Sequence, residues 1–370
     1  MNVGILKEIK AEENRVCMTP AGVEVMIAHG HTLLVEKGAG RGSGFEDATY
    51  AQAGAEMVNT AVEIFERSEM IMHVKEPLPP EYDLIREGQV IFTYFHLAAD
   101  EIQTRALIKS KAVCIAYETI QKPDGSLPLL TPMSEVAGRM AIQQGAKYLE
   151  KVQGGSGVLL GGVPGVDPGH VLVIGGGIVG INAAKMACGL GAKVTILDMN
   201  LDRLRYLSDV MPANCFNLFS SPAIVRDLVQ RADVVVGAVL IPGAKAPKVI
   251  NRDMLKTMKP GAVLVDVAID QGGCFETSRP TTHSHPIYTV DNVVHYCVTN
   301  MPGAVPRTST LALTNATLPY ALKIASLGWK KAMQTHSDIK LGANVVQGHI
   351  TCQGVAEAFN LDYIPVEEMF

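Results

Sequence analysis

Four side chains stand where apolar runs stop. The run "VIFTYF" ends in His96 and "EMIMHV" ends in Lys75. The strand-like "NVGIL" leads through the charged "KEIKAEENR" to Arg15, and Asp270 comes just past "AVLVDVA". An imidazole that titrates near neutrality moves protons. A guanidinium and an ammonium grip a carboxylate and polarise a carbonyl. A carboxylate from a second element completes such a set when a cleft closes. Together the four suit a small keto or amino acid. Each one alone has a plainer reading. His96 would be a core or strand-end histidine, Arg15 a surface cation, Lys75 a solvated strand end, and Asp270 a turn residue before Gly272. Their shared position favours a site, because ligands of open α/β sheets gather beyond the carboxyl ends of strands. Strand alternation also expects Tyr94 and His96 on one face.

A second cluster lies in "VLVIGGGIVGINAAKMACGLGAKVTILD". Gly175, Gly177 and Gly180 have G-x-G-x-x-G spacing, which alone is weak evidence. The context adds weight: an apolar strand precedes, a helix follows, and a second strand ends in Asp198. Gly175 then makes the tight turn, Gly177 lets the backbone approach a pyrophosphate, and Gly180 allows close helix–strand packing. The helix N-terminus supplies unpaired N–H groups and partial positive charge. Asp198 stands where a carboxylate grips ribose hydroxyls and repels a 2′-phosphate, so NAD is expected over NADP. Nearby Arg203 argues the other way. "GAGRGSG" at 38–44 lacks the Lys-Ser/Thr ending of a phosphate loop and reads as a flexible turn. "HSH" at 283–285 has no further ligand near in sequence and reads as a surface loop rather than a metal site.

The elements that must position these residues form two βα series. In the first, "NVGIL", "HTLLVEK", "EMIMHVK", "VIFTYFH" and "AVCIAYET" read as strands. "TPAGVEVMIAHG" reads as a helix with Thr19 as N-cap, Pro20 in the first turn and Gly30 as stop. "DATYAQAG", "TAVEIFERS" and "DEIQTRALIKSK" read as further helices. "QKPDGSLPLLTP" breaks the pattern and is expected to be a hinge. A long helix is expected from Ser134 to Val152, then a glycine-rich connection. The second series has strands "HVLVIG", "KVTILD", "ADVVVGAV" and "AVLVDVA". After Pro306, "TSTLALTNATLPYALKIASLG" reads as a helix. The tail has too little pattern for a domain and is expected to pack back on the first series. This predicts an α/β protein of two Rossmann-like, doubly wound parallel-sheet domains joined by long helices, the first discontinuous. The expected bounds are 1–128 with 306–370, and 129–305.

Composition narrows the function classes. Of 370 residues, 48% are hydrophobic and 19% charged, which predicts a large folded core and not disorder. The net charge of −5, with no basic stripe, argues against a nucleic-acid binder. No apolar stretch reaches the ~18 residues of a membrane span. "MNVGILKEIKAEENR" turns charged at once, unlike an export signal. The cysteines at 17, 114, 188, 215, 274, 297 and 352 are odd in number and not at metal-ligand spacing. A reducing cytoplasm is expected, with neither disulfide framework nor metal.

Long stretches resemble one family. "GILKEIKAEENRVCMTPAGV", "VKEP", "TYFHLA", "AYETIQ", "LLTPMSEVAGRMA", "LVIGGGIVGINAAKMACGLGAKVTILD", "DVAIDQGG" and "VTNMPGAVPRTSTLALTNAT" are similar to the L-alanine dehydrogenases of the alanine dehydrogenase/pyridine nucleotide transhydrogenase family. The resemblance covers nearly the whole chain. It implies NAD-dependent, reversible deamination of L-alanine to pyruvate and ammonium by a cytoplasmic homohexamer. It also implies that Arg15 and Lys75 bind substrate and that His96 and Asp270 move protons. Cofactor contacts implied by it are Ser134, Ile178, Val179, Asp198, Arg203, Ser220, Val239, Leu240, Val267, Ala268, Ile269, Asp270, Arg279, Val298, Thr299, Asn300 and Met301. Two other readings use the same dinucleotide fold. A transhydrogenase nucleotide-binding subunit would have no use for the four-residue set, and an NAD(H)-binding sensor would leave it unexplained.

Overall fold

The computed structural model describes residues 1–239 and 246–370. The chain divides into two compact units, Met1–Met133 with Val305–Phe370, and Ser134–Ala304. It leaves the first unit within the helix Thr131–Tyr148 and re-enters it just before the helix Pro306–Leu327.

The first unit begins with six strands: β1 (Asn2–Ile5), β2 (Thr32–Glu36), β3 (Glu56–Val58), β4 (Met70–Met72), β5 (Val90–Thr93) and β6 (Val113–Ala116). They pair in parallel in the order β3-β2-β1-β4-β5-β6. Strands β4, β5 and β6 are buried at every residue. That is why they read as unbroken apolar runs: helices cover both faces of a parallel sheet. Ile64, Phe65, Ile71, Ile91, Leu107 and Cys114 pack together on one side. Each of these Ile, Leu and Phe side chains contributes ~1.5–3 kcal/mol when fully buried.

The second unit holds β7 (His170–Ile174), β8 (Lys193–Asp198), β9 (Cys215–Phe219), β10 (Val234–Gly237), β11 (Val263–Asp266), β12 (Ile287–Val290) and β13 (Val293–Tyr296). Their order is β9-β8-β7-β10-β11-β13-β12, with only β12 antiparallel. Leu172, Leu197, Val235 and Leu264 form the centre of its core. In both units the chain winds outward from the first strand, returns, and continues on the other side. The reversal falls between β1 and β4 in one sheet and between β7 and β10 in the other. This is the doubly wound topology, and its ligand crevice lies at the reversal, beyond the carboxyl ends of the strands.

The tail returns to the first sheet as the pattern-poor sequence suggested. Strands β14 (Ala343–Val346) and β15 (His349–Ile350) extend it past β6, both antiparallel to their neighbours. Several elements depart from the sequence expectation. The long helix starts at Thr131 and ends at Tyr148, not at Ser134 and Val152, because a separate 3-10 turn at Lys151–Gln153 follows. Strands β3, β9, β12 and β13 were not expected. "GAGRGSG" is a turn, as expected, and it is tied down at Ser43. Ser43, at the end of its 3-10 turn, is 1% exposed and bonds the Asn14 carbonyl at 2.9 Å and Thr310 Oγ1 at 2.8 Å. Gly40 and Gly42 leave room for Tyr50 and Asn14, which a Cβ there would meet.

Candidate active site

Strands β5, β4 and β1 are consecutive neighbours in the first sheet, and His96, Lys75 and Arg15 follow their carboxyl ends. His96 does not itself end a strand. Strand β5 stops at Thr93, and His96 takes φ 53° and ψ 40°, the left-handed region. Glu118, in the 3-10 turn after β6, is the reason. Its Oε1 accepts from His96 N at 2.6 Å and from Phe95 N at 3.1 Å, so these N–H groups leave the sheet direction. The imidazole is exposed and lies parallel to the Tyr94 ring, with centroids 6.0 Å apart and planes 6° apart. Tyr94 is buried, donates its hydroxyl to the Leu129 carbonyl, and meets Tyr117 edge-on at 5.0 Å. Tyr94 and His96 therefore do lie side by side, held by the Glu118 clamp instead of by strand alternation.

Lys75 likewise lies beyond its strand, since β4 ends at Met72. It is half-buried. Its carbonyl accepts from Thr93 Oγ1 at 2.8 Å, which ties it to the end of β5. Glu8 holds the same segment through Val74 N at 2.6 Å.

Arg15 is not a surface cation, being only 2% exposed. Glu13 takes its Nε at 2.7 Å and its Nη2 at 2.6 Å, a forked pair, while Nη1 meets Met133 Sδ at 3.1 Å. Burial works against the Arg15 charge, but the Glu13 hydrogen bond and charge outweigh it and raise its pKa. Burial also pushes the Tyr94 hydroxyl up, against the opposing pull of nearby Arg15. The result is a fixed cation near an aromatic shelf, with a half-buried ammonium and an exposed imidazole at the adjoining strand ends. Such a set can bind a carboxylate, polarise a carbonyl and move a proton.

In the second unit the glycine loop follows β7. Gly175 has φ 102°, which only glycine adopts without strain. A Cβ on Gly180 would fall 1.8 Å from the Gly175 carbonyl oxygen, so only glycine lets the helix Ile178–Gly189 approach the strand. A Cβ on Gly177 would meet nothing, so that face of the loop is open. Ile178 is exposed and Val179 half-buried at the helix N-terminus. A tight turn, an open loop face and close helix–strand packing are among the features a dinucleotide pyrophosphate site requires.

The neighbouring strand ends carry the other candidates. Asp198 closes β8 and accepts from Gly176 N at 2.7 Å and Asn200 N at 2.8 Å. Arg203 bonds the Gly176 carbonyl through Nε at 2.5 Å and lies over the Tyr206 ring. Ser220 follows β9 and bonds the Asp198 carbonyl at 2.9 Å. Val239 follows β10, and Leu240 lies outside the described residues. Val267, Ala268, Ile269 and Asp270 follow β11, with Asp270 exposed in the 3-10 turn Ile269–Gln271. Val298, Thr299, Asn300 and Met301 follow β13, and Asn300 adopts φ 60°. Arg279 and Ser134 are placed differently. Arg279 stacks over Tyr288 at 4.1 Å, and half-buried Ser134 lies on the helix Thr131–Tyr148.

Several working residues were missed at the sequence level. Glu118, Glu8 and Glu13 are acids whose partners lie on other strands or in a loop. Asp266 is another. It is fully buried, and burial pushes its pKa up against hydrogen bonds from Ser278, Cys274 and Phe275. Its Oδ1 also accepts from Ala268 N at 3.1 Å, so it shapes the loop that carries Asp270. An acid inside the apolar "VLVDVA" was the available signal. His283, of the "HSH" stretch, bonds the Asn300 carbonyl at 3.1 Å. Among the described residues no group of three or more potential ligands could hold a metal, and no helix is long and apolar enough to cross a membrane.

The comparisons agree along the whole chain. Residues 4–137 match the family model for the N-terminal domain of alanine dehydrogenase/PNT, and residues 141–353 match the model for its C-terminal domain. The chain is 56% identical over 369 residues to an alanine dehydrogenase of Methanococcus maripaludis, covering 100% of this chain and 99% of that one. It is 56% identical over 368 residues to an alanine dehydrogenase of Staphylococcus saprophyticus, covering 99% of each. A solved L-alanine dehydrogenase superposes with a TM-score of 0.94 at 49% identity, covering 97% of this chain and 99% of that one. A transhydrogenase from Sinorhizobium meliloti superposes with a TM-score of 0.82 over 95% of this chain and 99% of that one, but at 23% identity this likeness is one of fold.

Proposed function

The chain belongs to the alanine dehydrogenase/PNT family, and from that premise we propose that it catalyses the reversible oxidative deamination of L-alanine to pyruvate and ammonium. When bound, NAD supplies the hydride acceptor at the alanine Cα, and its reduced form supplies the donor for the reverse reaction. Gly175, Gly177, Gly180, Ile178 and Val179 would hold the pyrophosphate, and Asp198 the ribose hydroxyls. Arg203, Ser220, Val239, Leu240, Ser134, Arg279, the 267–270 stretch and the 298–301 stretch would line the rest of that site. The first unit is then the substrate-binding catalytic domain and the second the nucleotide-binding domain. A cytoplasmic homohexamer is the assembly we propose, to be checked by light scattering.

The chain's own residues account for the remaining chemistry. Arg15, fixed by Glu13, holds the substrate carboxylate. Lys75 reaches the carbonyl end and stabilises charge as it develops on oxygen. Once Cα has lost hydride, water must add to the imine carbon and ammonia must leave the resulting carbinolamine. Both steps move protons, which we assign to His96 and Asp270. The observation that carries this reading is the placement of Arg15, Lys75 and His96 beyond three consecutive strand ends beside the reversal of strand order. The test is NADH formation from NAD and L-alanine at alkaline pH. Absence of turnover with alanine, serine and glycine would overturn it.

A further inference from the structure

Between β4 and Lys75 lies a buried charged cluster with no part in the chemistry above. His73 is 1% exposed. Its Nδ1 is 3.3 Å from Glu8 Oε1, and its Nε2 is 3.3 Å from Glu81 Oε1. The Glu8 and Glu81 side chains are only 4% and 5% exposed. The contact to Glu8 is a hydrogen bond. That to Glu81 is in ion-pair range without hydrogen-bond alignment. A neutral imidazole has a single N–H and could serve one carboxylate; the imidazolium serves both.

Each of these acids also holds backbone on either side of Lys75. Glu8 Oε1 accepts from Val74 N at 2.6 Å and from Lys75 N at 3.4 Å. Glu81 Oε2 accepts from Leu78 N at 2.8 Å, capping the helix Pro79–Tyr82. His73 therefore joins the two anchors of the 73–81 segment, and Lys75 lies between them. We propose that His73, by bridging Glu8 and Glu81, is a positioning residue for Lys75 in the deamination reaction. The inference rests on the assignment of Lys75 to the substrate. Removing the bridge would leave two buried acids with less compensation, and the segment would relax to relieve it. Burial opposes the His73 charge, but Glu8 and Glu81 outweigh it and raise its pKa to about 10, so the bridge persists across the working range.

The test compares His73→Gln and Glu81→Gln with wild type. Steady-state kinetics are measured with pyruvate, ammonium and NADH, and NADH affinity by fluorescence. Glu81→Gln keeps the acceptor for Leu78 N and removes only the charge facing His73, so it serves if His73→Gln does not fold. The expected result is a KM for pyruvate raised about tenfold in His73→Gln, with a smaller rise in Glu81→Gln. kcat should fall as well, because Lys75 also stabilises charge developing on oxygen; the rise in KM is what a loss of active fraction would not give, and NADH affinity should not change. A purely structural role would lower the active fraction, which reduces kcat and leaves KM alone. An unchanged pyruvate KM in the folded variants, beside an active wild type, overturns the positioning role alone. A wild type with no turnover of alanine or pyruvate overturns the functional reading, and this inference with it.

Discussion

The left-handed backbone at His96 exists because Glu118 holds it, and Glu118→Ala should show what that hold contributes. Hydrogen bonds to a charged group are each worth ~1.5–3 kcal/mol. Two are made, from His96 N at 2.6 Å and Phe95 N at 3.1 Å. Together they exceed the ~1–2 kcal/mol that a left-handed conformation costs a residue with a Cβ. Without Glu118 the balance reverses, and the competent conformer becomes the minor one by that same ~1–2 kcal/mol. At ~1.4 kcal/mol per factor of ten, kcat for the reductive amination of pyruvate should fall roughly 5- to 30-fold. Glu118→Gln should lose far less, because Oε1 accepts from both N–H groups, Oε2 adds only a longer contact to Phe95 N at 3.3 Å, and an amide oxygen can replace Oε1. NADH affinity, read by fluorescence, should hold in both variants. A folded Glu118→Ala enzyme with wild-type kcat would refute the clamp. So would an amide variant as impaired as the alanine one.

His96→Ala should leave folding and NADH binding nearly intact and cut turnover by ~10²–10⁴-fold, as expected for a general acid–base residue; near wild-type turnover would return His96 to the role of an ordinary surface histidine. Asp270→Ala should be similarly inactive and still bind NADH. Asp198→Ala should narrow the preference for NAD over NADP, measured as the ratio of kcat/KM values; loss of NAD binding with no gain for NADP would count against repulsion as the cause. Stability should depend on pH through His73, which Glu8, Glu81 and, from β2, Glu36 face. Its folded pKa is raised from 6.5 to about 10. The stabilisation is therefore complete below pH ~6.5 and is lost as pH rises through about 10. Urea midpoints should fall over that window in wild type and less so in His73→Gln; parallel curves would argue that His73 is neutral.

The nucleotide loop was legible because its logic is local. Gly175, Gly177, Gly180 and Asp198 lie on one strand–loop–helix–strand unit, and that context is what gives their spacing weight. The parallel core strands were legible because burial on both faces removes polar residues from them. What could not be read depends on distant partners. Arg15 looked solvated in "KAEENR", yet Glu13 folds back on it and both are buried. The end of "VIFTYFH" looked extended, yet Glu118, in the 3-10 turn after β6, turns it. Glu8 acts on residues beyond β4, which no local pattern encodes. Strands β9 and β12 are edge strands with little full burial, and β15 has only 2 residues. Their composition therefore carries weak signals.

The return of the tail to the first sheet has a consequence for how the chain is made. Residues 134–304 are contiguous and can collapse as soon as they leave the ribosome. The first unit cannot finish. Until Ala343–Val346 emerges, β6 presents an open edge, and its pairing partner lies more than half the chain away. An uncovered apolar edge is a template for pairing with other chains. Ribosome-bound or truncated chains that stop before β14 should therefore keep a folded second unit while self-associating through the first. In this protein residues 305–370 act less as an appendage than as the closing seam of a domain begun by residues 1–133.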